Sequence, residues 1–195
     1  RALLNGWKAL ELWTLDGTEP VVSPEHFADH YVANAKVFDK IAYRSSTEHA
    51  VAVFHTPDVS LSRAAEVLRN ARGVLVLEGI EKPGNLGAVL RTALAAGVDA
   101  VILADPALDP FGPNVIRNAT GALFEAPLFV GGAQEVRTLL LEQGFTTFIT
   151  HMHEHASSLF EVQWPEKSAI VLGEESRGLH NDWLDCGYEN VVIPM

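Results

Sequence analysis

The stretch that decides the fold passes from an apolar run through a Pro-Gly turn into an amphipathic segment. It reads Leu77-Glu78-Gly79-Ile80-Glu81-Lys82-Pro83-Gly84-Asn85-Leu86-Gly87-Ala88-Val89-Leu90-Arg91-Thr92-Ala93. Apolar residues recur at i, i+3, i+4, i+7 and i+8, the spacing of one helix face: Leu86, Val89, Leu90, Ala93 and Leu94. Gly97 supplies a stop, so the pattern predicts a helix over 86–96 with Asn85 at its N-cap.

On both sides of this stretch, short apolar runs alternate with amphipathic segments from residue 73 onward, as is typical of a parallel α/β sheet. The predicted strands are Val74–Leu77, Ala100–Leu103, Leu128–Val130, Phe145–Thr150, Ala169–Leu172 and Val191–Ile193. A second helix is predicted over 132–143, closed by Gly144. We therefore expect an α/β fold built on a parallel sheet.

The first third of the chain has a different pattern and predicts a separate, small α+β domain over residues 1–60. It contains an apolar strand, Ala50–Phe54, followed by a segment with Pro57. Residues 61–72 are predicted to form a linker helix, and residues 73–195 the larger domain.

The charge balance is acidic and uneven. The 195 residues hold 14 Lys and Arg against 25 Asp and Glu, and residues 73–195 hold 6 against 16. This composition argues against a nucleic-acid binder, because phosphate neutralisation needs a basic surface, so any contact with RNA has to come from local clusters. A single cysteine, Cys186, and apolar runs shorter than the roughly 18 residues of a membrane span predict a cytoplasmic protein without membrane contact.

Two polar side chains follow the predicted strand 74–77 closely enough to share a ligand. At 100° per residue, Arg91 points away from the apolar stripe of its helix and stays within two turns of the helix start. Asn85 and Arg91 could then both reach a ligand at the carboxyl end of the strand, where open α/β sheets bind substrates. A plain capped turn explains the same residues, and no G-x-G-x-x-G dinucleotide fingerprint is present.

A second glycine-bounded loop follows the strand 169–172, in the segment Ile170-Val171-Leu172-Gly173-Glu174-Glu175-Ser176-Arg177-Gly178-Leu179. Gly173 and Gly178 have the spacing of a phosphate loop, but Leu179 and His180 stand where Lys and Ser or Thr are needed. The carboxylates of Glu174 and Glu175 would also repel phosphate. The loop therefore favours a cationic or amine-bearing ligand, approached closely by backbone at Gly173.

The C-terminal segment Val191-Val192-Ile193-Pro194-Met195 fits a core strand. Before it, three histidines alternate along the extended run His151-Met152-His153-Glu154-His155. Three ligands on one extended run rarely close a tetrahedral metal site, so no metal is expected.

Taken together, in order and in spacing, these segments resemble the three motifs of the TrmH (SpoU) family of the SPOUT methyltransferase superfamily. The matching residues are Asn85, Gly87 and Arg91 in the first motif, Gly173, Glu175 and Gly178 in the second, and Ile193, Pro194 and Met195 in the third. Between them, residues 109–122 resemble the family segment that leads to Arg-x-x-x-Gly. The resemblance covers about residues 73–195, and the ordered set of motifs is far more specific than any one of them.

The resemblance implies an S-adenosylmethionine-dependent enzyme that methylates a ribose 2′-hydroxyl of tRNA or rRNA. It also implies a parallel α/β sheet whose C-terminal part forms a trefoil knot, a known exception to the rule against knots, and a homodimer. In the family the third motif continues into a Ser-Leu-Asn segment and a final helix, which we expect beyond Met195. The alternatives are a non-catalytic RNA-binding relative, suggested by the acidic charge, and a nucleotide-binding α/β enzyme of another kind.

The resemblance also assigns site residues. Arg91 is the catalytic residue, which we expect to orient the hydroxyl and a neighbouring phosphate, with Asn85 holding Arg91 or the ribose. Glu175 is expected to anchor the Asn85/Arg91 pair from the facing loop. The cofactor pocket is expected to include Thr150, Leu172, Gly173, Ile193 and Met195. Arg117 and Arg177 are the candidates for phosphate contact.

Residues 1–55 resemble the small ribosomal-protein-like domain with which many family members bind RNA. The resemblance lies in the segments Asn5–Leu10 and Ala42–Val53. It makes Arg44, with Arg1 and Lys8, a candidate for RNA contact, and a solvated face explains these cations equally well.

Overall fold

The computed structural model describes residues 1–43, 49–152 and 156–194. The chain divides into two compact units, Arg1–Pro57 and Asp58–Met195. The segment expected to be a linker helix forms a shorter helix that belongs to the second unit. The reason is burial, since Ala64 and Leu68 of this helix are fully buried in that unit's core.

The first unit is built on a three-stranded sheet. Its strands are β1 (Ala9–Leu15), β2 (Asp29–Ala33) and β3 (Ala50–Phe54), arranged in the order β2-β1-β3. β1 pairs parallel with β2 and antiparallel with β3. The helix α1 (Ala35–Ile41) is capped by the Asn34 side chain, which accepts a hydrogen bond from the Val37 N–H at 3.1 Å.

The second unit contains a seven-stranded sheet, and all the strand pairs in its described part are parallel. The strands are β4 (Gly73–Glu78), β5 (Ala100–Ala104), β6 (Leu128–Gly131), β7 (Thr146–Thr150), β8 (Ser157–Ser158), β9 (Ser168–Leu172) and β10 (Glu189–Val192). Their order is β6-β5-β4-β9-β7-β10-β8. The predicted parallel α/β sheet is confirmed, but Ile193 lies just beyond the last strand, Phe145 lies just before β7, and the short strand β8 was not predicted.

Helices cover this sheet and bury two separate clusters. They are α2 (Leu61–Leu68), α3 (Pro83–Ala96), α4 (Pro113–Asn118), α5 (Ala133–Glu142) and α6 (Asn181–Leu184). The two clusters lie on opposite faces of the sheet, because successive residues of β4 point to opposite sides. Val74 and Val76 pack with α2 and α5, and Leu77 packs with α3 and α4. Across residues 1–43, 49–152 and 156–194, no helix combines the length and the apolar character needed to cross a membrane.

The helix α3 buries its predicted face but begins earlier than predicted. Leu86 and Leu90 are fully buried. The first helical residue is Pro83 and the N-cap is Lys82, so Asn85 lies inside the first turn and is not the cap. Proline favours the first helical position because its φ is already helical and its missing N–H is not needed there. Asn85 therefore keeps its side chain for a contact outside the helix.

Gly87 allows α3 and α4 to touch through their backbones. A Cβ atom built on Gly87 would lie 2.6 Å from the carbonyl carbon of Asn118, closer than any normal contact. Gly84, one turn earlier in α3, has nothing within 4 Å of the same position. The glycine of the first motif is thus explained by helix packing.

We expect Gly87→Ala to lower the free energy of unfolding by about 1–3 kcal/mol, because the added methyl group forces α3 away from α4. Gly84→Ala is the matched control and should be neutral or stabilising by about 0.5–1 kcal/mol, since alanine favours the helix. Urea unfolding of both variants checks the difference. Equal free energies of unfolding for the two variants would show that the close approach at Gly87 does not contribute to stability.

Candidate active site

The strand order reverses between β4 and β9, and a cleft of about 650 Å³ lies at this point of the sheet. Open α/β sheets bind their ligands in such crevices at the carboxyl ends of the strands. One wall follows β4 and includes Lys82 and Asn85, and the facing wall follows β9 and includes Gly173 and Glu175. The sheet thereby brings together two of the motifs identified in the sequence.

Glu175 joins the two walls. Its Oε2 accepts hydrogen bonds from Lys82 Nζ at 2.5 Å and from Asn85 Nδ2 at 3.2 Å. The Lys82 ammonium, and after it the Asn85 amide, hold the pKa of Glu175 below its usual value. Glu175 is therefore a carboxylate at neutral pH, and its contact with Asn85 is as predicted.

Arg91 does not share this carboxylate, contrary to the prediction that Glu175 anchors an Asn85/Arg91 pair. Its guanidinium donates to the backbone carbonyl of Asn118 at the end of α4. It lies six positions after Asn85, which is about 9 Å along the helix axis and about 120° around it. The second donor to Glu175 is Lys82, and Arg91 lies exposed on a neighbouring part of α3.

The loop after β9 is closed by two backbone hydrogen bonds and by a close backbone approach at Gly173. Glu174 N–H donates to the Gly178 carbonyl at 3.0 Å, and Gly178 N–H donates back to the Glu174 carbonyl at 2.9 Å. A Cβ atom on Gly173 would lie 2.3 Å from the Gly178 carbonyl carbon, so only glycine fits. Arg177, expected to contact phosphate, is exposed and has its Nε 3.8 Å from Glu174 Oε2.

A second cavity of about 300 Å³ lies at the carboxyl ends of β7, β9 and β10. Three of the residues predicted for the cofactor pocket line it: Thr150, Leu172 and Ile193. The Thr150 hydroxyl donates to the Val171 carbonyl at 3.0 Å, which fixes its rotamer and turns the methyl group away from that bond. Leu172 also lines the larger cleft, where the predicted Gly173 lies. The two cavities are thus adjacent.

Arg117, Arg44 and Met195 are the other residues predicted for the site. Arg117 is exposed in the last turn of α4. Arg44 and Met195 lie outside the described residues, as do residues 153–155 of the histidine run. Within the described ranges no group of three or more His, Cys, Asp or Glu side chains is arranged to hold a metal ion.

Sequence reasoning missed Lys82 and the apolar side chains of Leu159 and Val192 in the smaller cavity. A signal existed for Lys82, because a lysine directly before a proline that starts a helix is an unusual N-cap. No comparable signal existed for Leu159, whose neighbours lie on strands distant in sequence.

Comparison with known proteins agrees with this geometry. A family model described as the SpoU rRNA methylase family matches residues 72–195. Over 165 residues the chain is 28% identical to the 23S rRNA (guanosine(2553)-2′-O)-methyltransferase RlmP of Bacillus subtilis, covering 85% of this chain and 63% of that protein. Over 138 residues it is 32% identical to the tRNA (guanosine(18)-2′-O)-methyltransferase of Thermus thermophilus, covering 68% of this chain and 69% of that protein.

Two solved structures share the fold over the whole chain. The AdoMet-bound rRNA methyltransferase from Sinorhizobium meliloti superposes with a TM-score of 0.83 at 22% identity, covering 100% of this chain and 74% of that one. The SpoU methyltransferase AviRb from Streptomyces viridochromogenes, in complex with AdoMet, has a TM-score of 0.83 at 23% identity, covering 100% and 77%. Among the curated relatives, the chain spans 63% of the Bacillus protein and about half of two others.

We expect Gly173→Ala to open the loop after β9, because its methyl group would overlap the Gly178 backbone. Amide hydrogen exchange at Glu174 and Gly178 should then accelerate at least about tenfold, which corresponds to about 1.4 kcal/mol of lost protection. Gly73→Ala, with open space around its Cβ position, is the control and should leave both amides unchanged. Unaltered protection in Gly173→Ala would contradict the role assigned to this glycine.

Proposed function

This chain belongs to the SpoU rRNA methylase family, and on that premise we propose that it transfers a methyl group from S-adenosylmethionine to a ribose 2′-hydroxyl of tRNA or rRNA. One observation carries the proposal: the cavity with the predicted cofactor residues adjoins, through Leu172, the cleft in which Asn85 and Glu175 meet. The names of the relatives support both the 2′-hydroxyl and the RNA substrate.

The residues present fit this cofactor. S-adenosylmethionine supplies a methyl group bonded to a sulfonium and an apolar adenine face. The smaller cavity offers Leu172, Val192 and Ile193 to an apolar ring, and Thr150 to its edge. The larger cleft carries the carboxylates of Glu81, Glu174 and Glu175, which favour a cationic group. The acidic charge of residues 73–195 is thus compatible with the donor, although it does not favour RNA.

Arg91 is proposed to act on the hydroxyl through its positive charge. A guanidinium stays protonated in proteins, so it is a poor proton acceptor and a good hydrogen-bond donor. Its donation to Asn118 uses part of a fork of five N–H donors and holds the side chain in one orientation. We assign to Arg91 the orientation of the ribose hydroxyl and a neighbouring phosphate, and the stabilisation of developing negative charge on oxygen.

The family also motivates proposals about the rest of the molecule. The C-terminal part of the second unit would form a trefoil knot, and two copies would assemble as a homodimer in the cytoplasm. The first unit would bind the RNA substrate, with Lys8 among the contacting cations. Arg117 and Arg177 would meet phosphate groups near the cleft, for which Arg177 would exchange its ion pair with Glu174.

We expect Arg91→Ala to reduce methyl transfer by about 100-fold or more, the usual cost of removing a donor that stabilises charge in the reaction. Incubation of the full-length protein with labelled S-adenosylmethionine and total RNA, followed by nucleoside analysis, should place the label on ribose. Arg63→Ala, an exposed arginine on α2, is the control and should keep the parent rate. An Arg91→Ala variant as fast as the parent would remove Arg91 from the reaction.

Titration calorimetry with S-adenosylmethionine tests the cofactor separately. We expect one binding site per chain, weakened about tenfold or more by Leu172→Asp, because that variant places a carboxylate in the apolar cavity. RNA binding without any cofactor binding by the parent would identify instead a non-catalytic RNA-binding relative, the alternative that the acidic charge suggested.

A further inference from the structure

The residue that precedes α3 is not explained by the helix. Lys82 occupies the N-cap, yet its side chain makes no capping hydrogen bond. N-caps favour Ser, Thr, Asp and Asn, whose oxygens accept from the free N–H groups of the first turn. A cation at this end of a helix is also opposed by the helix dipole. At this position Ser, Thr, Asp or Asn would therefore stabilise α3 more than Lys82 does.

The side chain of Lys82 instead serves the facing loop. Its Nζ donates to the same Glu175 Oε2 that accepts from Asn85 Nδ2. Both members of the ion pair are largely exposed, at 62% and 65%, and exposed pairs contribute little to stability. Among the described residues that line the cleft, Lys82 is the one cation beside three carboxylates. The Lys82–Glu175 ion pair therefore adds little to folding stability, and we look for its role in the cleft.

The charge on Glu175 determines how Asn85 is oriented. An ionised carboxylate can only accept hydrogen bonds, so Asn85 has to present its Nδ2 to it. Oδ1 is then the acceptor that Asn85 offers to a ligand. A protonated Glu175 could donate to Oδ1, and the amide could turn by half a rotation. Lys82 lowers the pKa of Glu175 and so extends to lower pH the range in which the carboxylate holds the amide in one orientation.

We propose that Lys82 is a positioning residue for methyl transfer: its ammonium holds Glu175 where that carboxylate fixes the Asn85 amide, which leaves Oδ1 to accept a hydrogen bond from the ribose hydroxyl. This inference rests on the proposed function and adds a residue to it. Lys82 acts through Glu175 and Asn85 and does not itself contact the reacting atoms.

The test compares three variants at Lys82 in the full-length protein. Lys82→Met removes the charge and keeps the stem, Lys82→Ser supplies a favourable N-cap, and Lys82→Arg keeps the charge. We expect Met and Ser to lower kcat about tenfold while KM for RNA and the cofactor Kd stay within about twofold, and Arg to restore most of the rate. The Tm of Lys82→Ser should equal or exceed that of the parent, which separates the lost rate from lost stability.

The pH profile supplies a readout that a purely structural role would not change. Without Lys82 the pKa of Glu175 rises towards its ordinary value, so the carboxylate protonates at a higher pH. The acidic limb of the kcat profile should therefore move to higher pH in Lys82→Met and return in Lys82→Arg. Arg63→Met, which breaks an exposed ion pair on α2 with Glu66, is the matched control and should leave the limb unchanged.

Two results would overturn the inference. The first is an unchanged kcat and acidic limb in Lys82→Met. The second is a loss confined to KM for RNA, which would make Lys82 a direct phosphate contact. A carbon-detected NMR titration of the Glu175 carboxyl, assigned with Glu175→Gln, decides the matter without activity: an identical titration in the parent and Lys82→Met removes the role of Lys82. A parent that transfers no methyl group refutes the proposed function, whatever the titration shows.

Discussion

The parallel pairing between β4 and β9 is the contact on which the candidate site depends. It aligns Leu77 with Leu172, so the residues that follow the two strands emerge at the same edge of the sheet. Parallel neighbours share the direction of their carboxyl ends, which brings Asn85 beside Glu175, 90 positions later in the chain. The reversal of strand order at this pair leaves a crevice between the walls, and the cleft occupies it.

Around that crevice, most of the polar contacts serve to hold carboxylates. Glu175 meets Lys82 and Asn85, Glu174 faces Arg177, and the buried Glu78 accepts the His180 N–H at 2.8 Å. Glu175 and Glu78 thus have hydrogen-bond partners within the chain, whereas the buried Glu174 Oε2 accepts no hydrogen bond and has only the ion pair with Arg177. The loop after β9 was expected to favour a cationic ligand, and one cation beside it, Lys82, belongs to the protein itself. The net negative charge that remains favours a cationic ligand over a phosphate, so under the proposed function any contact with RNA would come from separate local cations.

The backbone pattern was predictable in large part, for reasons that differ between elements. The strands β4, β5 and β7 have buried residues on both faces, and such largely apolar runs are visible without knowledge of their neighbours. The face of α3 follows from the spacing of Leu86, Leu90 and Ala93, all of which are buried. Its start was misplaced because a proline effect at Pro83 outweighed the capping preference of Asn85. The two-residue strand Ser157–Ser158 carries no pattern and depends on its pairing with β10.

The order of the motifs, the glycines at 87, 173 and 178 and the membership of the chain in its family were determined by the amino-acid sequence alone, because each is a property of residue types and spacings. The partner of each polar side chain was decided only by the tertiary structure. Glu175 binds Lys82 in place of Arg91, and Arg91 binds the Asn118 carbonyl, because the pitch of α3 and the register of two strands set those distances. A side-chain contact between residues some 90 positions apart depends on how the elements pack, and it cannot be predicted from the local spacing of residues.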